Sequence, residues 1–254
     1  MVFAKKKWGQ NFLVDNNLLE KIIKTIDIKK DDEILEIGPG HGALSEKIIQ
    51  KTKTLKMVEI DPELIQVIGQ NPLLSPFEIF NQDILKTNLQ ELGLNNPKVI
   101  GNIPYNITSP IIFWLIDHLP YWSESYLMVQ KEVAQRLYAK VGTKFYSRTS
   151  VLIQANASVE EKFEVKAENF FPRPKVNSSV IEIIPSKKKE FNYESLDKIL
   201  KISFLHRRKI LKNNLKNLSI EVQKKINESG INLSSRPQNL KPDEYIKLSK
   251  ILFC

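Results

Sequence analysis

Glu33-Ile34-Leu35-Glu36-Ile37-Gly38-Pro39-Gly40-His41-Gly42-Ala43-Leu44 carries the architecture of the chain in miniature. The run Glu33–Ile37 is short, apolar and bounded by turn residues, which reads as a buried strand. Three glycines within five positions then let the backbone turn tightly and let a ligand lie against it. Helical spacing resumes over Ala43–Gln50, at Leu44, Ile48 and Ile49. Strand, glycine turn and helix in that order open a nucleotide-type binding unit of a parallel α/β sheet.

The same alternation extends outward. Asp15 caps a helix with the apolar stripe Leu18, Leu19, Ile22, Ile23 and Ile26. Further strands are read at Leu55–Ile60, Phe77–Asn81, Lys98–Ile100 and Ser125–Gln130, with helices at Glu63–Ile68, Ser109–Asp117 and Glu132–Tyr138. Such β–α alternation means a doubly wound, mostly parallel sheet. Phe163–Val165 and Ser178–Ile184, either side of the proline-rich Phe171–Pro174, fit a long hairpin at the sheet edge. After Pro185 only helical spacing remains, over 193–205, 208–218, 220–228 and 242–252. The expected domains are therefore 1–185 and a small helical one, 186–254.

Charge follows the same division. The net charge is +9, yet residues 1–185 hold 22 Lys+Arg against 22 Asp+Glu, and residues 186–254 hold 16 against 7. Lys5-Lys6-Lys7 adds a cluster at the start, and Lys187-Lys188-Lys189 opens the basic part. A segregated basic region suits a polyanion partner. The densest cluster, Arg207, Arg208, Lys209 and Lys212, lies on apolar helical spacing and suits phosphate contacts. No apolar run reaches the ~20 residues a membrane helix needs, and MVFAKKKWGQNFLVDN lacks the apolar core of a secretory signal. The single cysteine, Cys254, excludes intramolecular disulfides and cysteine metal clusters and suits a reducing compartment. Three scattered histidines argue against a histidine metal site.

Candidate site residues fall at the carboxyl ends of strands. Glu59 ends one, 21 positions after Gly38, where a carboxylate can accept both hydroxyls of a ribose. Asp83 ends the next and can reach an adenine amine. The loop with Ala43 also satisfies a loose dinucleotide pattern, which keeps a nicotinamide oxidoreductase open, although Pro39 removes one amide a pyrophosphate could use. Loop, Glu59 and Asp83 together suit a nucleoside without phosphates, such as S-adenosylmethionine. Gly101-Asn102-Ile103-Pro104-Tyr105-Asn106 follows the fourth strand. An adenine amine is a poor nucleophile because its lone pair is delocalised into the ring. The Asn102 oxygen and the Ile103 carbonyl can accept its hydrogens and aim the lone pair, Pro104 stiffens the turn, and Tyr105 offers a stacking face. The Gly9–Leu13 amides can close over a cofactor, and Phe170-Phe171-Pro172-Arg173-Pro174 can bring an aromatic opposite Tyr105.

With these motifs in hand, the chain resembles the ribosomal RNA adenine dimethyltransferase family, in its bacterial small-subunit branch. GQNFL (9–13), EIGPGHGAL (36–44), VEID (58–61), QDIL (82–85), GNIPYNITSPI (101–111), QKEVAQR (130–136), FFPRPKVNSS (170–179) and FLHRRKILKNNL (204–215) carry the resemblance in family order. It implies a seven-stranded Rossmann-like methyltransferase sheet with a small C-terminal helical domain. It implies S-adenosylmethionine contacts at Asn11, Leu13, Gly38, Glu59, Asp83 and Asn102, to which we add their neighbours Gln10, Gly40, Ile60 and Ile84. It implies target-base contacts at Asn102, Tyr105 and Phe170, with Phe170 rather than Phe171 matching the motif's aromatic. The implied substrate is two adjacent adenines in the 3′-terminal hairpin of small-subunit ribosomal RNA, each methylated twice in an assembling subunit. A cytoplasmic monomer is expected. The Erm enzymes, which methylate one adenine of large-subunit RNA, are the nearest alternative, and a non-catalytic ribosome-assembly factor is another. Arg236-Pro237-Gln238-Asn239-Leu240 departs from the family, which has acidic residues after the arginine.

Overall fold

The computed structural model describes residues 4–5, 8–186, 191–215 and 218–253. Lys6, Lys7, Lys187–Lys189 and Cys254 lie outside them. The strands are β1 (Phe12–Leu13), β2 (Glu33–Ile37), β3 (Thr54–Glu59), β4 (Glu78–Asn81), β5 (Lys98–Asn102), β6 (Glu124–Gln130), β7 (Ala157–Val165), β8 (Phe170–Phe171) and β9 (Ser178–Pro185). Seven form one sheet in the order β4-β3-β2-β5-β6-β9-β7. β2 pairs in parallel with both β3 and β5, β3 with β4, and β5 with β6, while β9 runs antiparallel to β6. From β2 the chain steps outward through β3 and β4, then returns to lay β5 on the other side of β2. That reversal separates the loops leaving β2 and β5 and opens a crevice at their carboxyl ends.

Helices fill the crossovers: α1 (Asn16–Ile26), α2 (Ser45–Ile48), α3 (Pro62–Gly69), α4 (Thr108–Asp117), α5 (Lys131–Leu137) and α6 (Arg148–Asn156). In α1, Asp15 accepts from the Leu18 amide at 2.9 Å, and the predicted stripe Leu18, Leu19, Ile22, Ile23 and Ile26 is the buried face. It packs in one core with Ile34, Met57, Ile100, Met128, Phe170 and Val180. The predicted helix over Ala43–Gln50 contracts to α2. Bonds from Lys47 N–H to Leu44 O and from Lys51 N–H to Ile48 O tighten both ends into 3₁₀ turns.

The last helices are α7 (Tyr193–Ser203), α8 (Leu211–Asn214), α9 (Ile220–Glu228) and α10 (Pro242–Phe253). No strand follows Pro185 among the described residues. The predicted helix over 208–218 is only α8, because Ile210 is extended and the Leu211 and Lys212 amides bond to Ser235 O and Leu233 O instead.

Two compact units emerge, and their boundary corrects the one read from sequence. One unit comprises residues 1–134 and 160–185, the other 135–159 and 186–254. Residues 135–159, assigned above to the first domain, pack with the C-terminal helices. Within that unit Tyr146 Oη donates to Leu240 O, the Gly142 amide to Gln238 O, and the Arg148 guanidinium pairs with Asp197. The transferred segment carries four bases (Arg136, Lys140, Lys144, Arg148) and no acid. The helical unit therefore holds 20 Lys+Arg against 7 Asp+Glu, and the sheet unit 18 against 22. The charge separation is sharper than the linear reading: net +13 and −4 in place of +9 and neutral.

Candidate functional site

The crevice at the switch point is a cavity of about 630 Å³ in the sheet unit. Its walls include Gly9–Val14, Glu36–His41, Val58–Ile60, Gln82–Leu85 and Asn102–Ile107, together with Phe171. Gln10, Asn11, Leu13, Gly38, Gly40, Glu59, Ile60, Asp83, Ile84, Asn102, Ile103, Pro104 and Tyr105 are thus brought together as expected. Phe170 is not among them.

The glycine loop explains what the cavity can accept. Gly38 and Gly40 have φ of +66° and +62°, which side chains with a Cβ resist. A Cβ on Gly40 would meet the Phe12 ring at 3.1 Å, whereas one on Gly38 would meet nothing within 4 Å. Open space over Gly38 is room for a ligand. Three of the loop's amides are already used: Gly38 N–H donates to Val58 O at 2.9 Å, Gly42 N–H to Pro39 O at 2.9 Å, and Gly40 N–H to Glu59 Oε2 at 3.3 Å. With Pro39 lacking an N–H, the loop has little to offer a pyrophosphate. Carboxylates from Glu36, Glu59 and Asp83 line the same wall, so the surface repels phosphate and suits hydroxyls, amines and cations. The donor set fits a nucleoside sulfonium and not a dinucleotide.

Glu59 ends β3 and is 5% exposed. Besides Gly40 N–H, its carboxylate accepts from Asp61 N–H at 2.9 Å, an arrangement that fixes its orientation. Burial pushes its carboxyl above the ordinary value, against the backbone bonds that favour the charge. Glu36 is buried under the loop and accepts from Ser45 Oγ at 2.6 Å. Its burial, with the nearby Glu59 charge adding to it, pushes that carboxyl up to about 7. Asp83 caps a 3₁₀ turn by accepting from Leu85 N–H at 3.0 Å.

Asp61, one step beyond the predicted set, fastens the wall formed by residues 8–14. Lys5 Nζ lies 2.8 Å from its carboxylate, and Gln10 Nε2 donates to it at 3.2 Å. Burial opposes its charge, but Lys5, Gln10 and the Glu63 amide outweigh that and hold the carboxyl below its usual value. Gln10 Oε1 also accepts from Lys5 N–H at 2.8 Å, so the Gln10 amide is committed to the protein. The signal for Asp61 was already in Val58-Glu59-Ile60-Asp61.

On the opposite wall, Asn102 ends β5 and its Nδ2 donates to Asn11 O at 2.8 Å. The donor end of the amide is thereby occupied and its oxygen left as an acceptor. Ile103 N–H donates to Met128 O at 3.0 Å and pins the turn. A Cβ on Gly101 would sit 2.7 Å from Ile103 Cδ1 and 2.8 Å from Ile37 O, so the approach of β5 to β2 demands glycine. Tyr105 is half-buried, with its hydroxyl 2.8 Å from Ser178 Oγ, and burial raises its pKa.

The two-stranded ribbon of β1 and β8 decides between the adjacent phenylalanines. Phe12 opposes Phe171, and Leu13 opposes Phe170, in antiparallel register. Side chains alternate across a strand, so one cross-strand pair faces the core and the other the cavity. Phe170 packs into the core at 3% exposure, while Phe171 is 63% exposed on the cavity rim. The placement of Phe170 as the cavity's aromatic is corrected by this alternation. Phe12, not singled out from sequence, stacks edge-on with His41, ring centroids 4.4 Å apart.

In the helical unit, Arg208, Lys209 and Lys212 are exposed and form no ion pair among the described residues. Arg207 differs: its Nη2 donates to Lys144 O at 3.0 Å and Tyr146 O at 2.7 Å. It holds its own unit together. No helix among the described residues is long and apolar enough to cross a membrane.

A seven-stranded sheet with one antiparallel member, acidic strand ends and a glycine turn whose three glycine amides are all engaged defines a Rossmann-like methyltransferase. Comparison with known proteins agrees. The model of the family described as ribosomal RNA adenine dimethylase matches residues 1–253, and the chain belongs to that family. It is 40% identical over 252 residues to the ribosomal RNA small subunit methyltransferase A of Malacoplasma penetrans, covering 97% of this chain and 91% of the relative. A dimethyladenosine transferase structure from Plasmodium falciparum aligns with TM-score 0.81 at 29% identity, over 93% of this chain and 95% of that one. The 23S rRNA methyltransferase ErmE shares the fold, at TM-score 0.72 and 23% identity over 95% of this chain and 99% of that one.

Proposed function

We propose that this chain transfers methyl groups from S-adenosylmethionine to the exocyclic amines of two adjacent adenines in the 3′-terminal hairpin of small-subunit ribosomal RNA. The observation that carries the reading is the Asn102 amide, anchored through Nδ2 on Asn11 O and presenting its oxygen in the cavity that Glu59 and Asp83 line.

When bound, S-adenosylmethionine supplies an activated methyl on a sulfonium centre. Glu59 accepts the ribose hydroxyls, Asp83 the adenine amine, and Ile60 and Ile84 pack its ring. Gly38 leaves the space above the loop. Asn102 Oδ1 and the Ile103 carbonyl accept the two hydrogens of the target amine, which withdraws the lone pair from the ring and aims it at the methyl. Tyr105 stacks on the target base once it leaves its helix. Phe170 acts from behind, as the core anchor of the β1–β8 ribbon. No strong base is required, since the amine becomes acidic on methylation and its proton passes to water. After the first transfer one N–H remains, so only one of the two acceptors can hold and aim the amine for the second.

The partner is ribosomal RNA in an assembling small subunit, met by one copy of the chain in the cytoplasm. Twenty bases against seven acids in the helical unit support phosphate contacts there, through Arg208, Lys209 and Lys212. The test is to map dimethylated adenines in ribosomal RNA from cells with and without the gene, and with Asn102→Ala. Loss of two adjacent small-subunit modifications in both deficient strains is expected. A lost large-subunit modification, or none, would overturn the reading.

A further inference from the structure

The cavity rim carries a feature that the transfer step leaves unused. Phe171 is 63% exposed and Val14 62% exposed, and both line the mouth. They lie on the same face of one ribbon, since Phe12 pairs with Phe171 and Val14 N–H continues the ladder to Asn169 O at 3.1 Å. The result is an apolar shelf at the entrance, continuous with the pocket. Two and four positions beyond Phe171, Arg173 and Lys175 are exposed and form no ion pair among the described residues. An exposed aromatic beside unpaired cations is the usual platform for one nucleotide of a single strand: ring on base, cation on phosphate.

We propose that Phe171, backed by Val14, stacks the base adjacent to the target adenine, and that Arg173 and Lys175 hold the phosphates flanking it. The inference rests on the function proposed above and adds to it a second base subsite outside the reaction pocket. In a substrate with two neighbouring target adenines, the base on the shelf is the one waiting or the one already modified. The site reads stacking and charge, not base edges.

The test is a cycle of protein and RNA changes. Small-subunit particles are assembled with intact RNA or with an abasic nucleotide on one side of the target or the other. Single-turnover methylation is then measured with enzyme in excess over particles but below saturation for the wild type, Phe171→Ala and Phe171→Trp. With intact RNA, Phe171→Ala is expected to slow transfer about tenfold and Phe171→Trp to restore it. With the abasic nucleotide on the shelf side, wild type and Phe171→Ala should react alike. Arg173→Ala with Lys175→Ala should flatten the salt dependence of binding by about 0.7 per lost contact in single-stranded RNA. An equal Phe171→Ala effect on intact RNA and on both abasic RNAs overturns the proposal, since the ring then acts on the target base or on the fold. No Phe171→Ala effect on intact RNA also overturns it, and leaves the shelf to a protein partner. Wild-type enzyme failing on the intact particle defeats the proposed function instead, so the two failures are distinguishable.

Discussion

Glu36 is a carboxyl buried beside the cavity, and the folded protein bears the cost of that burial. Replacing it with glutamine keeps the shape and an acceptor for Ser45 Oγ while removing the charge. Burial, with Glu59 nearby, raises the Glu36 pKa to about 7 from 4.5. At about 1.4 kcal/mol per tenfold change in proton affinity, that is about 3 kcal/mol of folding free energy. The folded value lies above the unfolded one, so this stability is fully present below pH 4.5 and is lost as pH rises through 7. Glu36→Gln should therefore match the wild type near pH 4.5 and exceed it by up to about 3 kcal/mol at pH 8. For a chain of this size that amounts to about 6–12 °C in melting temperature. Thermal melts of the ligand-free proteins from pH 4.5 to 8 measure the difference. A gap that stays constant with pH, or a less stable variant at pH 8, would refute the reasoning, because a carboxyl already ionised at low cost gains nothing from neutralisation.

Other outcomes follow from the same geometry. Gly101→Ala drives a methyl into Ile103 and the Ile37 carbonyl and should cost about 1–3 kcal/mol in denaturant titration. Asn102→Ala should abolish most methyl transfer in single-turnover assays while RNA binding persists, as its side chain reaches Asn11 and the cavity only. Arg208→Ala, Lys209→Ala and Lys212→Ala should each reduce the slope of log K against log salt by about 0.7–0.9, read by filter binding. Arg207→Ala should instead lower the melting temperature, since its guanidinium holds the Lys144 and Tyr146 carbonyls.

Much of the fold was legible because apolar periodicity and turn chemistry agreed. The α1 stripe, the strand over 33–37 and the glycine turn each have one cheap conformation. What escaped notice was polar, short or apolar on all sides. β7 carries Glu160, Glu161 and Lys162 in an edge position, where charge guards against stray pairing, so only its last three residues looked like strand. α6 buries Val151, Leu152 and Ile153 in succession, which blurs helical period. Part of the cavity lining was readable because Gly38, Glu59, Asp83 and Asn102 lie at or just past the ends of strands. The choice between Phe170 and Phe171 was not, because it depends on which face of a two-residue strand is paired, information held by Phe12 and Leu13 far away in the chain. The placement of 135–159 was likewise invisible: its partners at Gln238 and Leu240 lie about a hundred positions on.

The β1–β8 ribbon also imposes an order in time. Its partners, residues 12–13 and 170–171, lie at opposite ends of the sheet unit's sequence, so one wall of the pocket is unsupported until two thirds of the chain has been synthesised. A nascent polypeptide can already contain Gly38, Glu59, Asp83 and Asn102 and still lack a closed chamber. Catalytic competence therefore comes late in translation, and long-range pairing of this kind is slow to form. A truncated product ending before Phe170 would carry the reactive motifs without the means to enclose a cofactor.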